Sequence, residues 1–126
     1  MEIIREAEIT TLSNSGVESR QLLFPENSAS RRLTIIRVTM PPGAVNPRHS
    51  HESPEQVWIA LEGEGELLLA DDRTAAFRAG DVARFGEGDI HGFRNSGPTP
   101  FSCIPVTSPP VNFRGAYEKR WNVTDN

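Results

Sequence analysis

The chain has 126 residues, 37% hydrophobic and 24% charged, a balance that suits a globular unit with its own core and excludes a disordered polymer. A formal net charge of −4 argues against a nucleic-acid surface, because neutralising phosphates needs a basic face. The longest apolar run, Val57–Leu61, is too short to span a bilayer, the start Met1-Glu2-Ile3-Ile4-Arg5-Glu6 lacks a signal-peptide stretch, and the lone Cys103 has no intrachain disulfide partner, so we expect one cytoplasmic domain over residues 1–126.

Ten Gly and ten Pro punctuate the chain at short intervals, and no stretch sustains a helical apolar period. Short β-like runs are predicted in order at Arg20–Phe24, Arg32–Met40, Val57–Leu61, Glu66–Ala70, Thr74–Arg78, Val82–Phe85 and Phe101–Val106. Turn chemistry separates them: Pro41-Pro42-Gly43, Gly63-Glu64-Gly65, Asp71-Asp72-Arg73, Gly86-Glu87-Gly88 and Gly97-Pro98. Many short strands at close spacing predict an all-β sandwich or barrel, with its core at about residues 20–107. The last stretch, Ser108–Asn126, is expected to wrap the surface or a neighbour rather than add to the core.

The run Gln56-Val57-Trp58-Ile59-Ala60-Leu61 carries the most information. Alternation sends Val57, Ile59 and Leu61 to one face and Gln56, Trp58 and Ala60 to the other. Both faces are largely apolar, so both call for a cover. The outer cover is either the chain's own termini or a second subunit.

Three histidines carry the chemistry. His49 and His51 stand at i, i+2, which on a strand puts both imidazoles on one face, a natural half-site for a divalent transition metal. Glu55 and Gln56 follow at the start of the next apolar run and offer an oxygen donor. His91 closes a second turn-rich segment, Gly86-Glu87-Gly88-Asp89-Ile90-His91.

These spacings resemble the two motifs of the cupin superfamily, small barrels of jelly-roll type. Gly43 is followed by five residues to His49, then His51, then Glu55 or Gln56, and Gly63. Gly80 is followed by five residues to Gly86-Glu87-Gly88, then His91 and, after three residues, Asn95. Gly86 stands where the family usually has Pro. Counting six residues back from Gly63 selects Gln56, and alternation agrees; Glu55 fits the shorter spacing from His51 and stays open as the alternative. The resemblance implies an all-β cupin barrel holding one divalent ion (Zn, Ni, Fe, Mn or Co) on His49, His51, Gln56 and His91.

A Gln ligand would leave the site at +2, where a Glu would give +1, making a stronger Lewis acid. Within the cupins, Gln here is similar to the ring-opening proteins of uronate breakdown and to certain polyketide cyclases. The expected function is an isomerase, lyase or cyclase-like protein using the metal as Lewis acid or template for a small oxygen-rich substrate, a uronate-type sugar acid being one case; a non-catalytic binding module and an Fe-dependent dioxygenase are the alternatives, and no catalytic residue is assigned. Trp58 is expected in the core or pocket wall, Cys103 as a buried hydrophobe, and Asn95 and Gly88 as shapers of the turn presenting His91. Arg37, Arg48 and Arg94 are candidate carboxylate binders, and Glu87 and Asp89 candidate bases, each with a solvated or salt-bridged role as the plainer expectation. A homodimer through the outer face of Val57–Leu61 is expected, with Ile3, Ile4, Ala7 and Ile9 and the C-terminal stretch positioned to reinforce it.

Overall fold

Alternation of buried and half-buried residues along Thr34–Met40 builds the centre of the molecule: Ile36, Val38 and Met40 point inward while Ile35, Arg37 and Thr39 point out. The computed structural model describes residues 1–121. Ten strands form it: β1 (Thr10–Asn14), β2 (Val17–Leu23), β3 (Thr34–Met40), β4 (Val45–His49), β5 (Glu55–Glu62), β6 (Glu64–Leu69), β7 (Thr74–Arg78), β8 (Val82–Phe85), β9 (His91–Arg94) and β10 (Phe101–Ser108). They are arranged as a six-stranded sheet ordered β1-β2-β3-β10-β5-β8 and a four-stranded sheet ordered β4-β9-β6-β7. All the strand pairings are antiparallel. The two sheets enclose a core in which Trp58, Phe77, Phe85, Phe93 and Phe101 meet the β3 aliphatics. This is a double-stranded β-helix barrel, the all-β fold that the motif resemblance implied.

Thr74–Arg78 and Val82–Phe85 form strands at the expected bounds. Three strands were not expected: β1, β4 and β9. β1 pairs with β2 across a turn in which Ser15 and Gly16 both take positive φ, the geometry a two-residue hairpin requires. Residues 10–14 of the N-terminal region therefore join the chain's own sheet.

The outer face of the large sheet stays open. Ile59 is 39% and Leu61 43% exposed, so the described termini do not cover them. Register sets Ile59 between Ile104 and Val82, and Val57 between Val106 and Arg84, making a continuous apolar stripe across three strands.

The C-terminal segment departs from expectation. Phe113 is buried in the core, with Val111, Tyr117 and Trp121 packed against it, and a short helix α1 (Arg114–Glu118) carries the chain across the barrel mouth. Residues 122–126 of that stretch lie outside the described residues. Side chains far away in sequence hold the segment: Thr34 exchanges hydrogen bonds with Val111, Asn14 Nδ2 donates to the carbonyls of Tyr117 and Lys119, and Arg114 forms a two-pronged pair with Glu26. Arg114 and Asn112 hold the Glu26 carboxyl down to about 2.

Candidate metal centre

β4 is an edge strand, and it contains Pro47, which has no N–H to give a ladder. The register with β9 slips there, between Asn46 and His49, as a bulge must. The slip has two consequences for the site. It places His49 directly opposite His91. It also turns the Pro47 carbonyl to the His49 ring, with Nδ1 at 2.7 Å. A carbonyl only accepts, so Nδ1 carries the proton and Nε2 keeps its lone pair.

The bulge can approach β9 because residue 92 is glycine. A Cβ there would lie 2.6 Å from the Asn46 carbonyl oxygen and 2.9 Å from the Arg48 nitrogen, both backbone atoms. Gly92 thus sets the distance between the two histidine strands. Sequence reasoning missed this role; a glycine beside a histidine in a run of alternating residues was the available signal.

His91 is oriented in the same manner as His49. Its Nδ1 lies 2.9 Å from the Asp89 carbonyl, its ring stacks on Phe85 at 4.3 Å, and its Nε2 is left inward. The turn that delivers it depends on both glycines flanking Glu87. Gly86 N–H donates to the Asp89 carboxylate at 2.8 Å, a bond that the usual Pro has no hydrogen to make. Gly88, at φ +76°, donates its N–H to the His51 carbonyl and ties the turn to the other histidine strand. Asn95 is buried and bonds the carbonyls of Met40 and Thr99, which fixes the exit of β9.

The three imidazoles converge. Their donor atoms all lie within 4.8 Å of one another. A triangle of that side has its centre at most about 2.8 Å from each corner, less than an ångström beyond a metal–nitrogen bond of ~2.0–2.1 Å. His51 Nε2 and His91 Nε2 are buried without a hydrogen-bond partner. Buried polar nitrogens are normally satisfied, so two unpartnered ones aimed into one triad fit the donor set of a cation site. Burial, opposed by the Pro47 carbonyl, lowers the His49 pKa; burial and then His49 lower that of His51. Burial, reinforced by His49, pushes His91 down to about 3. All three are thereby kept neutral, the form that ligates.

The two oxygen candidates separate across β5. Gln56 is buried; its Nε2 donates to Thr107 Oγ1 at 2.9 Å, and its Oε1 accepts from the Trp58 indole N–H at 3.1 Å. Because the indole can only donate, the amide orientation is fixed and Oε1 keeps a second lone pair. Glu55 points to the exterior, where Arg84 grips its Oε2 from Nε at 2.6 Å.

His49, His51, Gln56 and Trp58 line a cavity of about 550 Å3, while His91 lies behind its wall at 1% exposure. Arg48 also lines the cavity, its Nε bonded to the Leu69 carbonyl at 2.8 Å. Arg37 and Arg94 are ion-paired, with Glu62 at 3.9 Å and Glu66 at 3.6 Å. Glu87 and Asp89 are exposed loop acids, Asp89 serving the turn. Cys103 lines the cavity with its thiol pushed up to about 12 by burial, so it is inert as a nucleophile.

A histidine triad inside a barrel of this topology defines a class of small β-barrel proteins with a side-chain cluster that could hold a metal ion. Residues 36–107 match the Cupin domain family, and the chain belongs to it. Among curated relatives, the oxalate-binding protein of Thermotoga maritima is 29% identical over 111 residues, covering 82% of this chain and 91% of that protein. Among solved structures, a predicted oxalate decarboxylase from Thermotoga maritima superposes with a TM-score of 0.73 at 26% identity, over 86% of this chain and 99% of that one. KdgF from Halomonas sp. superposes at 0.74 with 19% identity, over 89% and 96% of the two chains, a likeness of fold alone.

Proposed function

We propose that this protein is a one-domain cupin whose His49, His51, Gln56 and His91 hold one divalent ion (Zn, Ni, Fe, Mn or Co), and that the ion in turn binds a small oxygen-chelating acid. The carrying observation is the pair of buried, unpartnered Nε2 atoms of His51 and His91 beside His49. With Gln56 as the oxygen donor every ligand is neutral, and an ion in such a shell retains its +2 charge and polarises a bound carboxylate or carbonyl oxygen. The protein's share is orientation: two backbone carbonyls fix two histidine tautomers, and Trp58 and Thr107 fix the amide.

A second version of this function is binding without turnover. Among the described residues no Asp or Glu lines the cavity, and the Cys103 thiol and Tyr117 phenol that do line it are each pushed up to about 12. That leaves few candidates for a general base near neutral pH. The name of the Thermotoga oxalate-binding protein points the same way.

Metal analysis of untagged protein tests the proposal, with one equivalent of a divalent ion expected. His91→Ala should lower the affinity for that ion at least about a hundredfold while the far-ultraviolet spectrum stays β-type. Undiminished metal content in His91→Ala would refute the ligand set. We further propose that two copies pair through the outer face of β5, in keeping with the exposed stripe Ile59–Leu61–Val82, in a reducing cytoplasm that suits the lone thiol.

A further inference from the structure

The chain carries 17 acidic residues against 13 basic ones, yet the cavity is lined the other way. Arg48, Lys119 and Arg120 reach it, and no carboxylate does among the described residues. Lys119 and Arg120 are exposed at the mouth, set there by the Asn14 side chain that binds the Tyr117 and Lys119 carbonyls. Together with a divalent ion this is a site for an anion.

Beside Asn46, Ser50, Gln56 and the histidines, the rest of the lining is apolar. Ile36, Val38, Met40, Phe93 and Phe101 line one part, and Phe113, Tyr117 and Trp121 of the C-terminal segment line another. The Tyr117 hydroxyl is already engaged by Ser19. Sugar hydroxyls laid against these apolar parts would lose water without gaining partners. Size separates the candidates as well. At roughly 30 Å3 per water-sized group, about 550 Å3 accommodates a molecule of up to about eighteen non-hydrogen atoms. A two-carbon diacid would leave most of that space to water against apolar walls.

We propose that the ligand of this cavity is an amphipathic organic anion: a chelating carboxylate head on a flat apolar body of about two fused rings, with Lys119 and Arg120 drawing it in. The proposal rests on the metal-binding function above and adds the substrate class to it.

The test uses 3-hydroxy-2-naphthoate and salicylate, which share one chelating head and differ by one ring, alongside oxalate and a 4,5-unsaturated uronate. Each is titrated calorimetrically into metal-free protein and into Co2+-loaded protein, with the cobalt visible spectrum as a second readout. Hydroxynaphthoate should bind at least about tenfold more tightly than salicylate in both forms, since the added ring buries only apolar surface. Oxalate and the uronate should be weaker than hydroxynaphthoate in the cobalt form. Lys119→Gln/Arg120→Gln, at exposed positions, should weaken all four anions about fivefold and leave Co2+ affinity unchanged. Equal affinities for hydroxynaphthoate and salicylate, or tighter binding of oxalate or the uronate, would overturn the proposal while leaving the metal centre standing. Failure to bind Co2+ at all would instead remove the metal centre, and the hydroxynaphthoate-to-salicylate ratio in the metal-free protein would still decide the apolar chamber.

Discussion

β5 is a wall between two chemistries. Its inner face carries Gln56, Trp58 and Ala60, all at 4% exposure or less; its outer face carries Ile59 and Leu61 at 39% and 43%. Each face lacks something of a different kind. Inside, every atom of the Gln56 amide is oriented by a neighbour, and the groups left unsatisfied nearby are polar imidazole nitrogens. Outside, the groups left over are aliphatic. Orphaned nitrogens ask for a cation, and an exposed aliphatic stripe asks for another apolar surface. A strand with period two can present both requirements at once, and the two can be removed independently.

Substitution on the outer face should have the largest effect. Ile59 sits between Ile104 and Val82, at the centre of the stripe. A charge placed in an isologous interface meets its own symmetry copy, so one substitution inserts two like charges. Ile59→Lys is expected to convert a dimer into monomers on light scattering, with the metal content of the wild type. A monomeric wild type would remove the second copy from the comparison, and loss of metal in Ile59→Lys would show that the two faces are not independent.

Acid should act on the inner face. The unfolded chain protonates His91 near the ordinary imidazole value of ~6.5, whereas the fold holds it down to about 3. Between these values the unfolded state binds one more proton, so stability is fully present above pH 6.5 and is lost as the pH falls towards 3. The contribution is up to about 1.4 kcal/mol for each pH unit in that window. Urea unfolding of the metal-free protein at pH 7.5 and pH 5 is expected to show this loss, and His91→Phe to reduce the difference. An unchanged pH difference in His91→Phe would assign the acid sensitivity elsewhere.

The same contrast explains what was legible in the sequence. Alternation separated the two faces of β5, but both are largely apolar, so it was the count back from Gly63 that selected Gln56 for the inner one. The three histidines were legible as a cluster because each sits at a fixed count from a glycine. The strands that carry them were not. β4 contains Pro47 and β9 is four residues long with Gly92 inside it, so local propensity opposes both, and their pairing is a tertiary effect of the bulge. The closing of the mouth by the C-terminal segment escaped for a similar reason. Phe113, Tyr117 and Trp121 recur every four residues, a helical stripe, yet the helix is five residues long and is held by Asn14, a hundred positions away. A stripe so short is visible only after the fold has supplied its partner.

The smallest expected effect is the most discriminating for the ligand set. Glu55 and Gln56 are neighbours in sequence, and a shift of one residue in register exchanges their faces. Glu55 pairs with Arg84 at the surface, the two side chains being 48% and 66% exposed. An ion pair so open to water contributes about 0–1 kcal/mol, and salt screens it. Glu55→Ala is therefore expected to change stability by less than about 1 kcal/mol, with the difference shrinking at high ionic strength. Metal affinity should be unaltered, since the carboxylate lies on the wrong side of the strand to reach the histidines. Gln56→Ala, one position along, deletes the partner of both Trp58 Nε1 and Thr107 Oγ1 in the interior. It should weaken metal binding and destabilise the fold by about 1–3 kcal/mol. The pair of variants, compared by calorimetric titration of Co2+ into metal-free protein, separates the two faces of β5 at adjacent residues. A drop in Co2+ affinity in Glu55→Ala with none in Gln56→Ala would reverse the assignment, and with it the +2 charge proposed for the centre.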